Sequence, residues 1–166
     1  MERIARLFEY PGEGYRSAAR EAALDSKSPE IADFAGRIAS FSTEELQELF
    51  IQTFDLNPDC TLDIGWHLFG ENYERGEFLV KLRQLMRRHG VEESVELPDH
   101  LTHVLKLLDR MDEQEAGELA VRCVLPALEK MLGAMEGKGS PFEELLKGLL
   151  KLIQVRVFAL EGGVHA

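Results

Sequence analysis

Residues 42–58 read STEELQELFIQTFDLNP. The opening Ser42-Thr43-Glu44-Glu45 has the form of a capping box: the Ser42 hydroxyl can accept from the Glu45 amide while the Glu45 carboxylate reaches back to the Ser42 amide. Behind it Leu46, Leu49, Phe50 and Phe54 recur at steps of three and four, one apolar stripe of an amphipathic helix. Asn57-Pro58 then ends the helix, because proline lacks a backbone donor and drives its predecessor out of the helical region. Start signal, stripe and stop signal agree.

The same grammar recurs in both directions. Tyr73 to His89 stripes Phe78, Leu82, Leu85 and Met86. Arg87, Arg88 and His89 fall in the last turn, where the helix dipole favours cations, and Gly90 fits the position just beyond. Leu97-Pro98-Asp99-His100 opens a further helix with Leu101, Val104, Leu105 and Leu108 inward. Asp112 with Glu115 caps the next, which is expected to run to about Gly137 with a kink near Pro126. Ser140-Pro141-Phe142-Glu143 starts the last, carrying Phe142, Leu145, Leu146, Leu149, Ile153 and Phe158. Upstream, Tyr15 to Leu24 and Pro29 to Phe41 read as two shorter amphipathic helices. No period-two strand and no internal repeat is visible. The expected architecture is therefore all-α, one helical domain over residues 1–166, with a hinge at Gly90–Leu97.

At 166 residues the chain can bury a sizeable single core, and 45% hydrophobic with 30% charged residues is a globular balance. No apolar run approaches the roughly 20 residues that span a bilayer, so no direct membrane insertion is expected. The N-terminus lacks an apolar run followed by a small-residue cleavage site, which points to the cytoplasm. A net charge of −11 repels phosphate backbones and anionic lipid, which argues against nucleic acid and leaves basic partners open. Cys60 and Cys123, with no Cys-x-x-Cys, read as reduced thiols.

Candidate chemistry is sparse. Asp55, Asn57 and Asp59 alternate like the first half of a calcium loop, with Asp63 further on. The sixth and twelfth positions, which need Gly and a bidentate Glu, hold Cys60 and Trp66 instead. Cys60 and His67 on one helix face would lie two turns, or about 10 Å, apart, beyond the reach of a nucleophile–base pair. His100 and His103, with Asp99 beside them, could present two imidazoles to a metal, yet no further ligands accompany them. Glu-rich helix starts fit capping better than acid–base work. The residues describe a binding protein, with no identifiable catalytic site and no cofactor.

Three segments carry a resemblance. They are Leu7-Phe8-Glu9-Tyr10-Pro11; residues 52–90, QTFDLNPDCTLDIGWHLFGENYERGEFLVKLRQLMRRHG; and Glu96-Leu97-Pro98-Asp99-His100-Leu101, followed by VLKLLDRM at 104–111. In this order and spacing the chain resembles the delta-subunit chaperones of respiratory nitrate reductase, within the redox-enzyme maturation chaperones, over roughly Leu7 to Leu152.

That resemblance implies an all-α assembly factor without turnover chemistry. Its partner would be the apo catalytic subunit of a molybdenum-containing reductase, held through an N-terminal, leader-like segment until molybdenum cofactor is inserted. It also implies a monomer or a domain-swapped dimer. The peptide-binding residues it suggests are Trp66, Tyr73, Glu96, Asp99, His100 and His103. Where the wider family often has Glu before the proline, this chain has Leu97, with Glu96 one step earlier. Asp99 has a second reading as the initiator of its helix. Two rival functions stay open at this level: a chaperone for a sister selenate, chlorate or hydrocarbon oxidoreductase, and a small helical metal enzyme using His100 and His103.

Overall fold

The computed structural model describes residues 1–165. Among them there is no strand, only an isolated antiparallel bridge between Asp63 and His100. The chain begins with α1 (Glu2–Ala5), which tightens into a 3-10 turn at Arg6–Phe8. α2 (Tyr15–Ser26) closes on Lys27 in the left-handed region, and α3 (Pro29–Ile38) starts at once behind it. There the Ser28 hydroxyl accepts from the Ile31 amide at 3.2 Å and Pro29 takes the first helical position, where a missing N–H costs nothing.

The expected capping box forms. Glu45 N–H donates to Ser42 Oγ and Ser42 N–H to Glu45 Oε1, both at 3.1 Å, at the head of α4 (Thr43–Phe50). The stripe then passes into a π turn at Ile51–Asp55, where the Leu56 amide donates to the Ile51 carbonyl at 3.0 Å. The wider turn keeps Phe54 inward. Phe54 is 2% exposed and meets Phe142 edge-on, ring centres 5.0 Å apart. A 3-10 turn at Pro58–Cys60 and the short α5 (Ile64–Phe69) follow. α6 (Tyr73–His89) buries Phe78, Leu82 and Met86 and ends on Gly90 at φ +70°.

α7 (Leu101–Arg110) starts later than the sequence suggests, and its N-cap is His100 rather than Asp99. α8 (Glu113–Leu119) is capped by Asp112, whose carboxylate accepts from the Glu115 amide at 2.8 Å. The helix expected to run to about Gly137 with a kink near Pro126 carries a second π turn at Ala120–Val124, just ahead of that proline. Its Leu125 amide reaches back to Ala120, and α9 (Leu125–Met135) resumes with Pro126 in its first turn. Proline has no N–H to give an α-type bond at this point, so the register change falls beside it.

α10 (Pro141–His165) closes the bundle. It buries Phe142, Leu145, Leu146, Leu149 and Ile153 against α3 and α9. A Cβ on Gly148 would come within 2.7 Å of Ile31, so only glycine allows this approach of α10 to α3. Phe142 sits among Phe34, Phe50 and Phe54, centre distances 5.0–5.9 Å, tying α10 to α3, α4 and the π turn after it. α2 runs to Ser26 instead of Leu24, α3 ends at Ile38 instead of Phe41, and Phe158 is 76% exposed instead of inward.

Candidate functional site

Between the N-terminal segment and the corner that precedes α7 lies a cleft of about 460 Å³. Phe8, Tyr10, Phe50, Leu62 and Val95 supply its apolar surface. Glu9, Asp55, Asp63 and Glu96 bring carboxylates to it, against the single ammonium of Lys106, 3.9 Å from Glu9. Tyr10 is 56% exposed and Val95 fully so, leaving large apolar groups in water at the mouth.

One wall is held by backbone and one buried carboxylate. The Ile64 amide donates to the Asp99 carbonyl at 3.0 Å and the Leu101 amide to the Leu62 carbonyl at 2.8 Å, pairing residues 62–64 with 99–101. The Asp99 side chain, fully buried, accepts from the Gly65 amide at 3.1 Å and from Arg75 Nε at 3.0 Å. Arg75 also lies 3.6 Å from Asp63, so one guanidinium serves two carboxylates. Burial raises the Asp63 carboxyl to about 6, and repulsion from Asp99 adds to this against the pull of Arg75.

His100 caps α7. Its Nδ1 accepts from the Thr102 amide at 3.3 Å, which leaves the proton on Nε2, 3.9 Å from Glu96. Burial draws its pKa down to about 4, with His103 beside it adding to the fall, so the ring is neutral at physiological pH. His103 is buried behind it and pins the loop before α7. Its Nδ1–H donates to the Leu97 carbonyl at 2.8 Å and its Nε2 accepts from the Ser94 amide at 3.2 Å.

Of the six residues expected to bind peptide, the cleft brings together Glu96 and His100. Trp66 lines an adjoining depression that shares Asp55, Thr61 and Asp63 with it. Asp99 and His103 are enclosed beneath the wall, and Asp99 is neither a surface acid nor the cap of α7. Tyr73 stands away from the cleft on α6, 74% exposed, its hydroxyl donating to Glu77 at 2.6 Å. Both ring nitrogens of His103 are engaged by the protein, so it does not share an ion with His100. Among the described residues no group of three His, Cys, Asp or Glu side chains is placed to hold a metal. Cys60 and His67 do not pair either: the His67 ring bonds the Thr61 carbonyl at 2.7 Å, while the Cys60 thiol faces the Met131 carbonyl. Among the described residues no helix is long and apolar enough to cross a membrane.

The model of the nitrate reductase delta subunit family matches residues 18–136, from α2 to the end of α9. The chain belongs to the nitrate reductase delta subunit family. Its relatives include the nitrate reductase molybdenum cofactor assembly chaperone NarJ of Escherichia coli K12, 27% identical over 164 residues that cover 93% of this chain and 69% of that protein. The probable chaperone of the same description, NarJ of Bacillus subtilis 168, is 28% identical, covering 98% of this chain and 94% of its own length. The probable chaperone NarW of Escherichia coli K12 is 26% identical over 90% of this chain and 65% of its own.

In this delta-subunit family member the cleft draws on more than the matched stretch. Phe8, Glu9 and Tyr10 precede it, and sequence reasoning used them only as a family marker. Asp63 was visible as one of the alternating acids, but the calcium reading that failed had claimed it. Asp55 was visible in the same calcium reading, whereas Lys106 gave no signal, because a charge on a solvated helix face reads alike whether or not it borders a cleft.

Proposed function

We propose that this chain is an assembly chaperone for the catalytic subunit of a molybdenum-containing reductase, with nitrate reductase as the client. It holds the apo subunit in the cytoplasm through an N-terminal segment and releases it once molybdenum cofactor is in place, without turnover chemistry of its own. The observation that carries this reading is the cleft beside Glu96-Leu97-Pro98-Asp99-His100. An apolar floor with four carboxylates and one ammonium suits a segment that is part apolar and part basic. The net charge of −11 speeds encounter with such a segment and makes capture salt-dependent. The chaperones to which the chain is similar are named for the same assembly task.

The test is calorimetric titration of the purified chain with a synthetic peptide spanning the N-terminal segment of the nitrate reductase catalytic subunit. Saturable binding that weakens with salt is expected. No binding at low salt contradicts the proposal.

A further inference from the structure

The stretch of α10 from 152 to 160 is more apolar than a partly solvated helix should be. Residues 152–160 read LIQVRVFAL, with one charge in nine positions, yet only Ile153 of these is buried. A helix apolar around most of its circumference is normally covered on most sides. Here Ile153 faces the core, while Val157 and Leu160 meet α8 and the π turn after it, forming a groove with Val121. Val121 in the groove is 47% exposed; Val155 and Phe158, which turn away from it, are exposed as well. An apolar groove left open to solvent between Val121, Val157 and Leu160 marks an interaction site.

The rim decides the occupant. Glu113, Glu118 and Glu161 border the groove against two guanidiniums, Arg122 and Arg156. Glu113 is paired with Arg156 at 3.3 Å, whereas Glu118 and Glu161 have no ion-pair partner among the described residues. A second copy of the chain would bring another net −11 and the same excess of carboxylates to the contact. We propose that this groove docks an amphipathic helix of a partner polypeptide, with an aliphatic stripe seated on Val121, Val157 and Leu160 and Lys or Arg along its edges. The groove shares no lining residue with the cleft beside His100, so the two surfaces can be filled together, and the inference stands without the function proposed above.

The probe is a fluorescein-labelled Leu/Lys amphipathic peptide of about 14 residues, roughly 20 Å of helix, titrated into the full chain by anisotropy. Its control is a scrambled peptide of the same composition. Glu118→Lys combined with Glu161→Lys is expected to weaken binding by about tenfold or more, and Val121→Ser by several-fold. Arg122→Glu, which removes the cation that has no carboxylate partner among the described residues, is expected to strengthen binding about threefold, a gain that misfolding could not produce. All titrations are run on a Glu96→Lys background, so that capture of the same basic peptide in the cleft does not contribute to the affinity read for the groove. Equal binding of the scrambled peptide, or unchanged affinity in the charge-reversed variant, overturns the proposal. So does a concentration-dependent dimer that Val121→Glu dissolves, which would make a second copy the occupant.

Discussion

Gly65→Ala sets two effects against each other, and the structure decides which wins. Gly65 lies inside α5 with an ordinary helical backbone, so propensity alone predicts that alanine stabilises by about 0.5–1 kcal/mol. A Cβ at this position, however, would stand 2.4 Å from Asp99 Oδ2, 3.1 Å from Phe78 and 3.3 Å from Arg75. The carboxylate has nowhere to retreat: it is fully buried and held by the Gly65 amide and by Arg75. Moving it costs a charge-assisted hydrogen bond, about 1.5–3 kcal/mol, and loosens a largely buried ion pair whose outright loss costs about 3–5 kcal/mol. With partial relaxation, a net loss of about 3 kcal/mol is expected, or roughly 6–12 °C in Tm for a chain of this size. Urea unfolding followed by circular dichroism and tryptophan fluorescence measures it, with coincident transitions checking two-state behaviour. Gly76→Ala is the control, since no atom lies within 4 Å of its added Cβ and it should be neutral or slightly stabilising. If Gly65→Ala is as stable as wild type, the packing assigned to Asp99 is wrong.

The remaining predictions concern the cleft and the core. Asp63→Asn should stabilise the protein by about 1–2 kcal/mol at pH 7.5, after allowing for partial solvent screening. The sign follows from a folded carboxyl raised from 3.8 to about 6: the cost of keeping it ionised is full above that value and fades as pH falls towards 4. Urea midpoints at pH 7.5 and pH 4 should therefore differ between variant and wild type at the first pH only, and equal midpoints at both would contradict the shift. The same variant should bind a basic N-terminal peptide more weakly, since it removes a carboxylate from the cleft. Phe142→Ala should cost about 3–5 kcal/mol, because the ring is fully buried among Phe34, Phe50 and Phe54. A loss under about 1 kcal/mol by the same unfolding measurement would mean that this aromatic cluster is not a packed core.

Much of the fold was legible because its signals are local. Ser42 with Glu45, Asp112 with Glu115, and Ser140-Pro141 each mark a helix start by residues within one turn of each other, and the structure places helices behind all three. The misplacements come from tertiary contacts. Asp99 has the preference of a cap, yet it is drawn inward by Gly65 and Arg75, distant in sequence, and His100 caps in its place. The π turns at Ile51–Asp55 and Ala120–Val124 add a residue to a turn without changing the apolar pattern, so periodicity alone did not show them. Phe158 falls five residues after Ile153, off the three- and four-residue step, and lies exposed, whereas Val157 keeps the step and packs on the core. The site was legible only in part: Glu96 and His100 were found through a motif, whereas Glu9, Asp55 and Lys106 meet them by folding alone.

The central claim is that the cleft beside His100 receives the N-terminal segment of the catalytic subunit. Mapping backbone amide shifts of the isotope-labelled chain during titration with that peptide tests it most directly. The account predicts shifts concentrated at Glu9, Tyr10, Leu62, Val95, Glu96 and His100, diminished by Glu96→Lys and by added salt. Shifts confined to other faces of the bundle, or none at low ionic strength, would contradict it.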